Sequence, residues 1–390
     1  MIPYGRQDIS EADIQAVVDV LRSDFLTQGP VIPAFEQAVT AYCGVKYAVA
    51  VSNGTCALHI ACLALGVGPG DIVWTSPITF VASANCALYC GATVDFVDID
   101  PRTYNLSLEC LTTKLEKAER EGNLPKVVIP VHLAGQSCDM AGIHALSQRY
   151  GFKIIEDACH AIGGKYRGEP IGNCQYSDIT VFSFHPVKII TTGEGGMALT
   201  NDAKVANQLA RLRSHGITRV QEEMTHAADG PWYYQQLDLG FNYRMTDIQA
   251  ALGLSQMQRM DEFVAKRHSI AQRYDAMLSG LWVTTPWQHP DSSSALHLYI
   301  VRLKRHEIKL SQKDLFERLR SYGILVNLHY IPVYRQPFFA VMGFDRKEFP
   351  EAEAYYAEAV SLPIYPTLSE EQQTEVVERM KSPLGFQTLF

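Results

Sequence analysis

The sequence lacks the features of a membrane or secreted protein. None of its 390 residues falls in an apolar run of about 18 residues, roughly the length that a membrane-spanning helix needs. The opening residues, MIPYGRQDISEADIQ, contain neither a basic start nor an apolar stretch, so they do not resemble a signal peptide. The nine cysteines are scattered without a C-x-x-C motif, as is typical of reduced thiols. We therefore expect a cytoplasmic protein with no membrane partner.

Charge and missing motifs exclude further classes. Lys plus Arg is 34 and Asp plus Glu is 42, which gives a net charge of −8, whereas a nucleic-acid binder needs a basic face. The phosphate-binding motif G-x-x-x-x-G-K-[ST] is absent, and no G-x-G-x-x-G follows a predicted strand. Cys86 and Cys90 lie one helical turn apart, but no histidine cluster joins them. We interpret them as packed core thiols and expect no metal site.

What the chain does contain is a series of short apolar runs that alternate with helical patterns. The predicted strands are YAVAV (47–51), DIVWTS (71–76), TVDFVDI (93–99), KVVIPVHL (126–133) and FKIIED (152–157). Helices are predicted at 55–66 and 80–91. The strands are rich in Val and Ile without strict alternation, as expected when both faces of a parallel sheet are buried. Repeated β-α units predict an α/β fold with helices around the sheet.

The pattern changes near residue 245. TDIQ (246–249) is a capping box, from which we predict one long helix to about residue 277. Beyond it we predict an antiparallel strand at 296–303, a strand at 324–333, and helices capped by SQKD (311–314) and SEEQ (369–372). We therefore predict a large α/β domain over 1–245, with an N-terminal arm at 1–12. A smaller α+β domain follows over 246–390, and the polar stretch 218–236 is interpreted as an excursion or lid.

Candidate functional residues follow the predicted strands, because ligands of parallel sheets bind at the carboxyl ends of the strands. In SNGT (52–55), Gly54 and Thr55 offer backbone N–H groups at a helix start, which suits a phosphate; many ordinary α/β turns look the same. Asp157 closes an apolar strand, where a carboxylate is costly to bury without a cation. Its alternative role is a helix N-cap.

The stretch FSFHPVKIITTGEGGM (182–197) adds a hydroxyl, Ser183, and an amine, Lys188. A lysine can form a Schiff base with a carbonyl, although most lysines are simply solvated. Phe80 lies near a helix start and is either a core residue or a platform for a ring.

Together these groups fit pyridoxal phosphate. This cofactor needs an amine for its aldehyde, an acid beside its ring nitrogen, a phosphate anchor and an apolar face. The glycines that follow Lys188 allow close backbone approach.

Seven motifs in order resemble the sugar-nucleotide aminotransferases of the DegT/StrS type. They are LTQGP (26–30), SNGT (52–55), EDACHA (156–161), FSFHPVKIITTGEGG (182–196), RSHGITR (213–219), FNYRMTDIQAALG (241–253) and HYIPV (329–333). The resemblance covers nearly the whole chain. It implies an aspartate-aminotransferase-like, type I fold and a homodimer whose active site is shared between subunits.

The resemblance also implies roles for individual residues. Lys188 is the catalytic residue that holds the cofactor, Asp157 faces the pyridine nitrogen, and His160 lies near the ring hydroxyl. The other implied cofactor contacts are Phe80 on the ring, Gly54, Thr55 and Ser183 on the phosphate, and Asn242 from the neighbouring subunit. The positions that match sugar-nucleotide contacts are Tyr4, Asp24, Phe25, Leu26, Thr27, Asn327, Leu328, His329 and Tyr330. Ile189, which often differs in other branches, is expected to border the sugar site.

The reaction implied is a two-stage transamination. An amino acid, expected to be L-glutamate, leaves its amino group on the cofactor as pyridoxamine phosphate, with Lys188 moving the proton. The amino group then passes to the C4 ketone of a nucleotide-linked 4-keto-6-deoxy sugar. Within the family the chain most resembles the branch of the pseudaminic acid pathway.

Three alternatives remain. The same chemistry can act on another UDP-, GDP- or dTDP-linked sugar. A pyridoxamine-dependent dehydratase of this fold carries histidine in place of the lysine, whereas Lys188 is present here. A regulatory protein would keep the fold and only sense a ligand; a purified protein that shows no cofactor colour, even after pyridoxal phosphate is added, would indicate that role.

Overall fold

The computed structural model describes residues 1–381; residues 382–390 of the predicted small domain lie outside the described part. The helices are α1 Glu11–Leu21, α2 Val31–Cys43, α3 Gly54–Ala64, α4 Ala82–Tyr89, α5 Leu108–Glu121, α6 Met140–Tyr150, α7 Ala203–Leu212, α8 Asp247–Met257, α9 Met260–Leu278, α10 Gln312–Ser321, α11 Pro337–Ala340, α12 Pro350–Glu358 and α13 Glu370–Lys381. The strands are β1 Ile2–Pro3, β2 Tyr47–Val51, β3 Ile72–Thr75, β4 Thr93–Phe96, β5 Val127–Ile129, β6 Lys153–Asp157, β7 Lys165–Tyr166, β8 Glu169–Pro170, β9 Ile179–Ser183, β10 Gly196–Thr200, β11 Ile217–Thr218, β12 Gln235–Gln236, β13 Val283–Thr284, β14 Ser292–Ser293, β15 Tyr299–Leu303, β16 Ile324–Leu325 and β17 Ala359–Leu362.

A seven-stranded sheet forms the centre of the molecule, in the order β2-β10-β9-β6-β5-β3-β4. From β9 to β4 every neighbouring pair is parallel, and β10 runs antiparallel to both β2 and β9. The predicted strands are therefore confirmed, with ends a few residues shorter, and the sheet is mostly parallel. Because β2, β3, β6 and β9 run in the same direction, their carboxyl ends lie at one edge of the sheet.

Both faces of this sheet are buried, which explains the continuous apolar strands. Val127 and Ile129 of β5 pack into the cluster that contains α3 and α4. Val128, between them, packs with Leu111 of α5 and Ile143 of α6 on the opposite face. Because successive side chains of a strand point to opposite faces, a strand covered on both sides needs apolar residues at every position.

The single long helix predicted from residue 246 is wrong. The capping box is present, since the Thr246 hydroxyl accepts from the Gln249 N–H and the Gln249 side chain accepts from the Thr246 N–H. However, α8 ends at Met257, and Arg259 has non-helical torsions (φ −111°, ψ 11°) before α9 begins. The Arg259 guanidinium donates to Asp13 of α1 at 2.9 Å. Because the two residues are far apart in sequence, the periodicity of apolar residues does not predict this contact.

The C-terminal part is built on a smaller antiparallel sheet, β13-β15-β17. The predicted antiparallel strand at 296–303 is confirmed as β15, and the caps at Ser311 and Ser369 are present. The predicted strand at 324–333 is wrong beyond Leu325, because β16 pairs only with β1 of the N-terminal arm. The chain then leaves the sheet and forms the wall of a cavity. The division into domains at residue 245 stays a prediction.

The stretch 218–236 leaves the body of the protein as an excursion, closed at its base by the antiparallel pair β11 and β12. Its role as a lid stays a prediction. Within residues 1–381, no helix has both the length and the apolar character needed to cross a membrane.

Candidate active site

A cavity of about 860 Å³ opens at the carboxyl edge of the central sheet, within the range of small-molecule sites. Its wall includes most of the residues predicted from sequence. These are Tyr4, Gly54, Thr55, Phe80, Asp157, His160, Ser183, Lys188, Asn327, Leu328, His329 and Tyr330. Residues from both ends of the chain therefore meet around one site.

The start of α3 forms one end of the cavity. Asn53 caps the helix by accepting from the Cys56 N–H, and among the hydrogen bonds of residues 1–381 the N–H groups of Gly54 and Thr55 find no acceptor. A Cβ at Gly54 would lie 3.0 Å from Cβ of Ser183, a tight contact that would require Ser183 to shift. Free N–H groups at a helix start beside a hydroxyl form a suitable anion site.

Asp157 lies at the end of β6 with only 5% of its surface exposed. No helix follows it directly, so the N-cap alternative is wrong. Its Oδ2 accepts from the Ser83 hydroxyl at 2.6 Å, and its Oδ1 accepts from the Cys159 N–H at 3.2 Å. Asp157 forms no ion pair with any group in residues 1–381. A buried carboxylate without a counter-ion is well suited to a cationic ligand group.

Lys188 lies on the loop that joins β9 to β10. The strand ends at Ser183, five residues before the lysine. Burial lowers the pKa of the Lys188 amine, while interactions with Cys159 and Asp157 act in the opposite direction. The side chain makes no ion pair within the described residues. An amine of lowered pKa, facing a cavity, is suited to nucleophilic attack on a carbonyl.

His160 and Phe80 flank the centre of the cavity. Burial, helped by the nearby Lys188, lowers the pKa of His160 well below its usual value. This neutral imidazole lies 3.1 Å, Nε2 to Oη, from Tyr330. Phe80 is 58% exposed, so it is not a core residue and its ring is available to a ligand.

The segment 327–330 forms the opposite wall, beside Tyr4. The ring centroids of Tyr4 and His329 are 5.0 Å apart, and His329 Nδ1 lies 2.8 Å from the Ser361 hydroxyl. Burial, with the charge of Lys188, lowers the pKa of His329 to about 3. This wall therefore offers neutral hydrogen-bonding groups and aromatic surface, a suitable lining for an uncharged sugar ring.

Some of the predicted residues lie outside the cavity of their own chain. Asn242 is exposed and pairs with Ser214. The four residues 24–27 are exposed as well, and Thr27 pairs with Thr246. Their roles stay predictions. Ile189 is buried in a core cluster and does not line the cavity, so its place at the border of the sugar site stays a prediction.

Several residues of the site were not found from the sequence. Ser83 holds Asp157, and His297 lies with its ring centroid 4.4 Å from that of His160. Glu194 and Tyr243 also line the cavity. Glu194 lies within the stretch 182–197 and Tyr243 follows Asn242, so their closeness to a motif could have indicated that they belong to the site. Ser83 and His297 lie inside predicted elements, where nothing distinguishes them from packing residues.

The fold and the cavity together are those of a pyridoxal-phosphate-dependent aminotransferase. The described residues fit this cofactor: free N–H groups for the phosphate, an unpaired buried carboxylate for the ring nitrogen, and a lysine for the aldehyde. The family model described as the DegT/DnrJ/EryC1/StrS aminotransferase family matches residues 7–381. The chain belongs to this family, and its cofactor is pyridoxal phosphate.

Named relatives extend along nearly the whole chain. The chain is 37% identical over 383 residues to the spore coat polysaccharide biosynthesis protein SpsC of Bacillus subtilis, covering 97% of this chain and 96% of that one. It is 38% identical to GDP-perosamine synthase of Caulobacter vibrioides, covering 91% of each chain. It is 35% identical to the UDP-4-amino-4,6-dideoxy-N-acetyl-beta-L-altrosamine transaminase of Campylobacter jejuni, covering 94% of this chain and 93% of that one.

Solved structures agree with the fold. The putative sugar aminotransferase Spr1654 of Streptococcus pneumoniae, in its PMP form, matches with a TM-score of 0.87 and 30% identity, covering 98% of each chain. PseC of Helicobacter pylori, an aminotransferase involved in the biosynthesis of pseudoaminic acid, matches with a TM-score of 0.88 and 28% identity, covering 97% of this chain and 98% of that one. The predicted aspartate-aminotransferase-like α/β fold is thereby confirmed.

Proposed function

We propose that this enzyme transfers an amino group from L-glutamate to the C4 ketone of a UDP-linked 4-keto-6-deoxy sugar. The specific acceptor proposed is UDP-2-acetamido-2,6-dideoxy-β-L-arabino-hex-4-ulose, in the cytoplasmic synthesis of pseudaminic acid. One observation carries the chemistry: a lysine amine of lowered pKa shares a cavity with an unpaired buried carboxylate. The Campylobacter and Helicobacter relatives, whose names refer to this pathway, support the choice of sugar.

Each part of the proposed reaction has a residue in the cavity that can perform it. Bound pyridoxal phosphate supplies an aldehyde that accepts the amino group and a ring that withdraws electrons. Gly54, Thr55 and Ser183 would hold its phosphate, and Asp157 would keep its ring nitrogen protonated. Lys188 would hold its aldehyde and would supply the amine that moves a proton at the substrate carbon. The lowered pKa of Lys188 favours the neutral amine that both tasks require.

The sugar nucleotide occupies the wall formed by Tyr4 and the segment 327–330. The neutral state of His329 suits this role, because an uncharged imidazole can form hydrogen bonds with the hydroxyls of a sugar. The proposal includes a homodimer in which each chain completes the site of its partner. It rests on Asn242 and residues 24–27. The family resemblance implies that these residues bind ligands, yet they are exposed and do not line the cavity of their own chain. Phe25 and Leu26 are large apolar side chains that self-association would cover.

The acceptor is tested by a substrate panel. The purified protein is loaded with pyridoxal phosphate and incubated with glutamate and UDP-, GDP- or dTDP-linked 4-keto-6-deoxy sugars, and products are identified by mass spectrometry. The UDP-linked N-acetylated sugar is expected to gain an amino group at the highest kcat/KM. Turnover of only the GDP-linked sugar would favour the chemistry named for the Caulobacter relative. Lys188→Ala serves as the inactive control, and a protein that is colourless with cofactor and inert with every sugar would contradict the proposal.

A further inference from the structure

Behind the cavity, two buried hydroxyls connect to the carboxylate of Asp157. Ser83, on α4, is fully buried and does not line the cavity, while Thr79 is buried at its edge. The Ser83 Oγ lies 2.6 Å from Asp157 Oδ2 and 2.7 Å from Thr79 Oγ1. The three side chains thus form a continuous hydrogen-bonded chain from Thr79 to Asp157.

The direction of this chain is set by the chemistry of its end group. An ionised carboxylate only accepts hydrogen bonds, and a serine hydroxyl has one hydrogen to donate. Ser83 therefore donates to Asp157 and must accept from Thr79, whose hydroxyl donates. Hydrogen bonds arranged in this way polarise one another, so the hydroxyl of Thr79 strengthens the bond that Ser83 makes.

Asp157 has few other partners on this side. Its Oδ1 accepts from the Cys159 N–H at 3.2 Å, and its backbone is held by Pro130 and His132. Within residues 1–381, Ser83 is the only group that donates to Oδ2. Loss of that hydroxyl would free one carboxylate oxygen both to rotate and to bind a proton more strongly.

We propose that Ser83, oriented by Thr79, is a positioning residue that controls how Asp157 shares a proton with the cofactor's ring nitrogen. This inference rests on the proposed role of Asp157. In the intact site, the Ser83 hydrogen bond satisfies Oδ2, so the carboxylate remains a weak proton acceptor and the proton stays on the ring nitrogen. Without Ser83 the proton moves toward Asp157, and the ring withdraws electrons less effectively.

The experiment uses the full-length protein loaded with pyridoxal phosphate labelled with ¹⁵N in the ring. The variants are Ser83→Ala, Thr79→Val and the double variant, and the matched control is Thr75→Val. Thr75 is equally buried, and its hydroxyl donates to the Ile129 carbonyl at 2.9 Å, away from Asp157. The ¹⁵N resonance of the bound cofactor is recorded, together with kcat and KM for glutamate.

In Ser83→Ala the ¹⁵N resonance should move toward the position of an unprotonated ring, and kcat should fall about tenfold to a hundredfold with KM changed less, as expected for loss of one hydrogen bond to a charged group. Thr79→Val should show a smaller shift of the same sign. The double variant should match Ser83→Ala, because Thr79 acts only through Ser83. Thr75→Val should leave the resonance unchanged.

Three results would overturn the inference. They are an unchanged resonance in Ser83→Ala with normal cofactor uptake, additive effects in the double variant, and an equal shift in Thr75→Val. If Ser83→Ala does not fold, as judged by circular dichroism, the near-isosteric Thr79→Val decides by the same resonance. A wild-type protein that takes up no cofactor would instead overturn the proposed function, so the two failures are distinguishable.

Discussion

The change Glu156→Gln tests the buried contact between Glu156 and His132, which holds strand β6 next to Asp157. Glu156 precedes Asp157 on β6 and is 5% exposed, and its Oε2 lies 2.7 Å from Nε2 of the fully buried His132. Its Oε1 accepts from the hydroxyls of Ser177 at 2.5 Å and Thr180 at 3.2 Å. Burial alone would lower the pKa of His132, but hydrogen bonds with Cys138 and Glu156 raise it to about 10. The Cys138 N–H donates to His132 Nδ1 at 3.2 Å, which favours a neutral ring. The Glu156 carboxylate at 2.7 Å is the stronger partner, so we expect the pair to be charged near neutral pH.

Glutamine keeps the shape of the side chain and removes its charge, which leaves the histidine buried without a counter-ion. Breaking a buried pair in this way costs about 3–5 kcal/mol. An unfolding entropy of about 2 cal/mol/K per residue, summed over 390 residues, converts this cost to a fall in Tm of about 4–6 °C. The control is Glu262→Gln, which breaks the exposed pair between Glu262 and Lys266 and should cost at most about 1 kcal/mol.

The pH dependence gives this prediction a sign. Because the pKa of His132 is raised from 6.5 to about 10, its contribution to stability is complete below pH 6.5 and is lost as the pH rises toward 10. Burial alone would raise the pKa of Glu156, but bonding to His132 lowers it below its usual 4.5, so that contribution is lost only in acid. The difference in unfolding free energy between wild type and variant should therefore fall by about 1.4 kcal/mol per pH unit above pH 6.5, and the gap in Tm should narrow with it. Calorimetry at about pH 6 and about pH 9 measures it; a gap that is equal at both values would refute the assignment of a charged pair.

Three further predictions concern the site itself. Lys188→Ala should lose covalently bound cofactor and nearly all turnover. In the wild type, borohydride should fix a pyridoxyl group on Lys188; a pyridoxyl group on another lysine would contradict its role. Asp157→Asn should keep the fold but lose several orders of magnitude in kcat, at about tenfold for each 1.4 kcal/mol, whereas near-normal turnover would show that its charge is not needed. Mixing Lys188→Ala with Asn242→Asp, each shown to be inactive alone, should restore about a quarter of the sites if subunits exchange freely in a two-fold dimer. No recovery after demonstrated exchange would show that Asn242 does not serve the partner's site.

The sequence predicted the parts of the molecule that depend on neighbouring residues. The Val- and Ile-rich runs located five of the seven strands of the central sheet, but not β9 or β10. Asp157, which ends one of these runs, and Gly54, which follows another, line one cavity because parallel strands end at one edge. The caps at Thr246 and Ser311 were correct for the same reason, since a capping box is complete within four residues.

Contacts between distant segments account for what the sequence could not show. At the break before α9, Arg259 pairs with Asp13, which lies 246 residues away in sequence. The wall at 327–330 reads as a continuing strand, yet it leaves the sheet after Leu325, where the N-terminal arm ends its pairing. Neither partner is adjacent in sequence, so no local pattern carries the information.

Strand β6 illustrates where such reasoning stops. IIED ends in two acids, and strand alternation requires that they face opposite sides of the sheet. Asp157 faces the cavity with Ser83, while Glu156 faces the layer that contains His132. The two carboxylates are equally buried and differ in their partners: Asp157 accepts from a hydroxyl and a backbone N–H, whereas Glu156 also pairs with an imidazole. A neutral partner leaves the charge of Asp157 available to a ligand, whereas the partner of Glu156 neutralises it. The identity of the partner across space, more than the strand-end position itself, therefore decides which acid belongs to the active site.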